Sequence, residues 1–294
     1  MRIIQSHSTW FPAYTERVPE LPEAREELLS GIEENPGRVG SGPSFLLNAQ
    51  IALTVDPEAA AIETWYAWTS AMQLYHAMFA VSATPEGETI ECLIDQRVRV
   101  LKGMGPQYFA NPGNWLTAFY LALTCRDKKR WIELANFPIE VLREQAEKGG
   151  SHFGRHTYHW ISALQSMILN RPESMFSELE KAIELSDPRS GALGGDILDK
   201  LVFPEMNVFR CLVEGDVEGF NNALAQGLEL FKDYYTEDEE RSEDINGTVP
   251  LGLLAFSCLV YDRNRKRGDF PIEIESTYLP KFILNAAWYG EFAV

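Results

Sequence analysis

Apolar positions along this chain recur mostly at intervals of three and four, and one stretch alone switches to alternation. From residue 56 the helical rhythm is dense. Ile62, Trp65, Tyr66, Trp68, Met72, Tyr75, Met78 and Phe79 lead through to Val81, which predicts a long and largely buried helix. Asp56-Pro57 reads as its N-cap and first-turn proline, with Glu58 complementing the helix dipole. The period then changes. In Thr89–Ile94 and Arg97–Leu101 apolar and polar residues alternate around Asp95-Gln96, which predicts a β-hairpin, the only clear strand pair in the pattern. An isolated hairpin is marginal, so this one must pack on the helices.

The helical rhythm returns after Asn111-Pro112-Gly113-Asn114. It predicts helices over Trp115–Thr124, Lys128–Ala135, Pro138–Lys148, His156–Leu169, Pro172–Leu185, Ile197–Val213 with a kink at Pro204, Val217–Tyr235 and Pro250–Arg263. Phe270–Glu275 reads as a short strand before a last helical turn near Leu279–Leu284. The first fifty-five residues are broken by Pro and Gly, with short helices expected over Pro22–Glu34 and Ser44–Leu53. Turns of two to six residues imply antiparallel neighbours. The fold class is therefore mainly α, an irregular bundle- or solenoid-like stack of antiparallel helical hairpins with one small β-hairpin near residues 89–101. No strict 34-residue period supports a tetratricopeptide array. Residues 1–294 read as a single domain, with the loop-rich segment 1–55 packed on it.

Composition adds a globular core and a strong sign. Of 294 residues, 45% are hydrophobic, and 26 basic against 43 acidic side chains give a formal charge of −17. Such a surface repels nucleic acid and anionic lipid and speeds encounter with cationic proteins. Cys92, Cys125, Cys211 and Cys258 are far apart in apolar segments, without metal-ligand spacing, and read as buried thiols. The N-terminus lacks the basic start and apolar core of a leader, and no apolar run is long enough to span a bilayer, so a cytoplasmic location is expected.

Candidate chemistry is sparse. His152, His156 and His159 would share one face of a continuous helix and suit zinc, but Phe153 stands where an HExxH motif needs its glutamate, and Gly149-Gly150-Ser151 places His152 in the cap. The stripe Trp65, Tyr66, Trp68, Tyr75 lines a groove or, at helical spacing, builds core. Gly191–Gly195 before Asp196 reads as a loop ending in an N-cap and not as a phosphate cradle. No catalytic motif, cofactor or metal site is assigned, and the chain is not expected to be an enzyme.

The acidic signal is concentrated. Between Glu214 and Asp244 eleven carboxylates face only Lys232 and Arg241, a local charge of −9. Its densest part makes a candidate binding surface for a basic partner: Glu237, Asp238, Glu239, Glu240, Glu243 and Asp244, with Tyr234 and Tyr235 as aromatic anchors. The plain alternative is a solvated interhelical loop.

Three stretches resemble a known family. Asn111–Ala122 followed by Cys125-Arg126-Asp127, then Tyr234-Tyr235 with Pro250–Ala255 and Cys258-Leu259, and finally Ile274–Pro280, are similar in order and spacing to the immunity protein 49 family of bacterial polymorphic toxin systems. The resemblance implies a mostly helical protein that binds and inactivates a toxin, often a nuclease, inside the producing cell. It brings no catalytic residues, cofactor or binding pattern. Trp115 is expected as a core anchor, Asn114 as an N-cap and Asp127 as structural. The leading reading is a stoichiometric inhibitor of a cognate toxin with a basic surface. The alternatives are a helical-repeat-like peptide-binding scaffold and a metal-dependent hydrolase using the histidine run.

Overall fold

The Gly-punctuated chain over residues 30–41 gives way at Gly42 to the first of several paired helices, and each pair forms where a short polar turn separates two apolar rhythms. The computed structural model describes residues 1–7, 12–187 and 194–292. Over them the chain is 65% helical, with two sheets of two strands each. Strand β1 (Arg2–Ile4), helices α1 (Pro12–Thr15) and α2 (Leu21–Leu29) precede α3 (Gly42–Val55) and α4 (Ile62–Ala83), which pack on each other. Strands β2 (Thr89–Ile94) and β3 (Arg97–Lys102) lie against α4. Then come α5 (Pro112–Thr124), α6 (Lys128–Ala135), α7 (Ile139–Lys148), and the tightly packed pair α8 (Arg155–Ile168) and α9 (Pro172–Ser186). A second such pair is α10 (Phe203–Glu214) and α11 (Val217–Tyr235), followed by one-turn α12 (Glu239–Ser242), α13 (Leu251–Arg267), β4 (Ile274–Ser276) and α14 (Lys281–Leu284). Helix α13 is buried against α5, α10, α11 and α14.

The mainly helical class and the hairpin stand as expected, and the details that differ have local causes. Asp56 does not cap α4. It ends α3, and its carboxylate gathers the N–H groups of Ala60 and Ala61 and the Thr64 hydroxyl at 2.7–2.9 Å, so α4 starts six residues later at Ile62. The N-cap of α5 is Asn111, whose side chain accepts from the Asn114 N–H, while Asn114 donates to the Phe109 carbonyl. Pro204 sits in the first turn of α10, and the kink expected there appears one turn earlier as a π-helical turn over Leu198–Val202, closed by the Phe203 N–H on the Leu198 carbonyl. The short strand expected over Phe270–Glu275 is present as β4, but its partner was not foreseen: β1 joins it in parallel, Ile3 opposite Glu275. Three-residue strands from opposite ends of the chain carry no periodicity.

The β2–β3 turn shows how the buried helix positions a strained element. A two-residue hairpin turn needs two left-handed residues, and Asp95 and Gln96 take φ of 53° and 61°. Polar groups buried in α4 hold them: Ser70 donates to Asp95 (3.0 Å), the Gln96 N–H donates to Gln73 (3.1 Å), and the Gln96 amide donates to Thr69 (3.0 Å). Thus Thr69, Ser70 and Gln73, polar residues inside an otherwise apolar helix, each have a partner.

Around these elements one contiguous apolar core runs from Ile4 to Ile283. Trp115 lies at its centre, fully buried, stacked on Phe119 with ring centroids 4.9 Å apart and donating its indole N–H to the Leu134 carbonyl. The corner after α5 ties down the C-terminal elements. Arg126 turns with φ of 60° and donates to the carbonyls of Thr124, Ile283 and Leu284 at 2.6–2.7 Å while pairing with Asp262 of α13. Asp127 caps α6 and pairs with Arg130. The four cysteines are buried free thiols, and burial pushes Cys92 and Cys258 up to about 11.

Candidate functional site

The acidic stretch is built as a series of caps. Asp216 caps α11 by accepting from the Gly219 N–H, Asp238 caps α12 through the Arg241 N–H, and Asp244 caps the 3₁₀ turn Ile245–Thr248 through the Asn246 N–H. Short acidic side chains are suited to that task, since they accept from orphan N–H groups where the helix dipole is positive. Glu237 has a different tie. It receives Lys200 at 2.9 Å and Arg241 at 2.6 Å, and these cations also approach Asp196 at 3.8 and 3.7 Å. The hydrogen bond with Lys200 lowers the Glu237 carboxyl below its ordinary value and raises Lys200 above its own. Asp196, expected as an N-cap beyond a glycine loop, lies inside the first helical turn, and residues 191–193 of that loop fall outside the described residues. Glu239, Glu240 and Glu243 are exposed, and no ion pair among the described residues engages them.

The two tyrosines part company. Leu224, Leu228, Phe231 and Tyr235 share the buried face of α11, so Tyr235, 7% exposed, packs on Phe231 and stacks with His7. Tyr235 therefore supports the acidic segment from beneath and is not an exposed aromatic anchor. Tyr234 stands half-buried at the rim under the Arg241 guanidinium, 4.3 Å from its ring centroid.

Below this segment opens a cavity of about 220 Å³ between α3, α5, α11 and α13, lined among others by Lys200, Glu205, Tyr235 and Asn246. Glu205 accepts from the Tyr120 hydroxyl at 2.8 Å, and that hydroxyl accepts from the Trp160 indole at 3.0 Å. Burial pushes the Glu205 carboxyl up to about 7, against the opposing pull of Tyr120 and the Gly252 N–H. Gly252 is required by this approach, since a Cβ there would lie 2.3 Å from the carboxyl group. Sequence reading passed over Glu205. The signal was present in an acid standing one residue after a helix-starting proline inside an apolar run.

The other candidates are dispersed by the fold. His152 and His159 line one cavity of about 380 Å³ with Arg143, Glu147 and Tyr158, but His156 is buried apart from it with its pKa lowered by burial and His159 bonds Glu178 at 2.7 Å, so the three do not converge. Among the described residues no three metal-ligating side chains gather. Trp65, Trp68 and Tyr75 are core, and Tyr66 lies under Arg25. A larger cavity, about 640 Å³, lies instead between β2, α4 and α6, where His76 donates to Glu133 at 2.6 Å.

With this geometry in place, comparison with known families decides the affiliation. Residues 56–283 match the model of the family described as Immunity protein 49. The chain belongs to that family. Searches of curated proteins and of solved structures return no match to it. The match begins at Asp56, the residue that organises the start of α4, and ends at Ile283, whose carbonyl is held by Arg126.

Proposed function

We propose that this chain is an immunity protein acting in the cytoplasm, where it binds a cognate toxin, best read as a nuclease, and neutralises it stoichiometrically without catalysis or cofactor. Family membership over residues 56–283 is the observation that carries the reading. The acidic segment supplies a means of capture. Glu239, Glu240 and Glu243 stand free on a rigid, capped platform beside Glu237, Asp238, Asp244 and Tyr234. A nuclease presents a basic surface to its substrate, and carboxylates standing in for phosphates oppose it while speeding encounter. Co-expression with the product of the neighbouring toxin gene tests the role: cells survive only with the chain present, and failure to rescue them removes the immunity reading.

A peptide-binding scaffold is the second reading, favoured by the 640 Å³ cavity flanked by strand β2 and by Ile132, an apolar side chain 51% exposed. It is distinguished by co-expression, where a scaffold gives no rescue, and by Ile132→Arg, which would abolish peptide binding on that reading and leave rescue intact on the first.

A further inference from the structure

The cleft beneath the acidic segment contains a carboxyl group that no cation among the described residues neutralises. Glu205 reaches it from α10, and the groups around it are the Tyr120 hydroxyl from α5, the Gly252 N–H from α13, Tyr235 from α11, Gln50 from α3 and Asn246. Among the described residues Lys200 is the one cation lining the cleft, and its ammonium is held by Glu237 at 2.9 Å and by Asp196 at 3.8 Å. Leu201, Phe231 and Leu253 make apolar walls. The rim is continuous with the candidate surface, because Asn246 bonds Asp244 at 2.9 Å and Lys200 bonds Glu237. Apolar walls leading to an acid suit a side chain with a methylene stem and a charged head, and about 220 Å³ accommodates one such chain and no helix.

We infer that this cleft receives a single lysine or arginine side chain of the partner protein, whose charge pairs with Glu205. The inference rests on the toxin-binding reading and deepens it. The acidic platform attracts the basic surface, and the cleft fixes its register through one inserted residue. Since burial holds the free Glu205 carboxyl up to about 7, an arriving cation expels its proton, and association at neutral pH releases protons.

The test uses the full chain and, as probe, the catalytically inactivated product of the neighbouring toxin gene. Calorimetry at pH 7 in buffers of different ionisation enthalpy should show release of about half a proton per complex by the wild type. Glu205→Gln should abolish the release and weaken binding roughly 30-fold or more, with its folding checked by circular dichroism. Carbon-detected titration of Glu205 gives a second readout independent of any variant: its pKa falls below 5 in the complex. Tight wild-type binding with an unaltered Glu205 titration, and with Glu205→Gln binding as well as wild type, overturns the cleft and leaves the immunity reading standing. Absence of any wild-type binding overturns both. Loss of proton release in Lys200→Met would show that Lys200 itself enters the cleft, which also overturns the inference.

Discussion

Two sets of carboxylates in this protein do opposite work. Asp127, Asp262 and Glu205 lie in the scaffold, each fixed by a specific donor: Arg130, Arg126 and Tyr120. Glu239, Glu240 and Glu243 stand in solvent without a partner among the described residues. In the first set the low-dielectric surroundings make every missing partner expensive, and geometry is inherited from helix ends. In the second, water screens the charge, and the side chains are free to act on something outside the molecule. The sign of a residue is therefore a poor guide to its task in an acidic protein. Its local support decides.

Substitutions break this contrast in graded steps. Arg126→Ala should have the largest effect, destabilising by about 3–5 kcal/mol in urea unfolding, because it leaves Asp262 and three carbonyls without their donor. Gly252→Ala forces a Cβ against the Glu205 carboxyl and should cost about 1–3 kcal/mol by the same measurement.

Glu205 also gives the buried set a pH signature. Its folded pKa is raised to about 7, so between its ordinary value and 7 the folded state keeps a proton that the unfolded chain has lost. The associated stability is full at acid pH and disappears as pH rises through 7. Glu205→Gln removes the titration and should gain on the order of 2 kcal/mol over wild type at pH 8, while the two variants converge near pH 5. A flat difference across that range would mean that Glu205 is ionised throughout.

The smallest expected effect on stability belongs to the exposed set. Converting Glu239, Glu240 and Glu243 to Lys should leave the urea midpoint and the helical signal unchanged, yet slow association with the toxin and flatten its dependence on salt. Reversing Glu237 and Asp238 as well mixes two effects, since one holds Lys200 and Arg241 and the other caps α12.

The sequence made legible whatever depends on periodicity and near neighbours. The boundaries of α6 and α11 follow from a capping aspartate and a helical stripe, and the hairpin from alternation around two turn residues. The same rule, taken one step further, separates Tyr235 from Tyr234, because Leu224, Leu228 and Phe231 put the former on the buried stripe. What stayed hidden depends on distant segments meeting. Arg126 looked like part of a polar turn, and its partners lie some 136–158 residues away. Glu205 was one acid among 43 until α5 and α13 closed over it.

The parallel pairing of β1 with β4 sets a clock on the molecule's own synthesis. Arg2–Ile4 is made first and has to wait for Ile274–Ser276 before it finds its strand. At roughly 5–20 residues per second that interval is on the order of tens of seconds. The last contacts, including Arg126 with the carbonyls of α14, close only after that segment has left the ribosome. In a chain assembled in this way the N-terminal strand stays unpaired until its distant partner is made, so the two ends of the fold are joined in one late step.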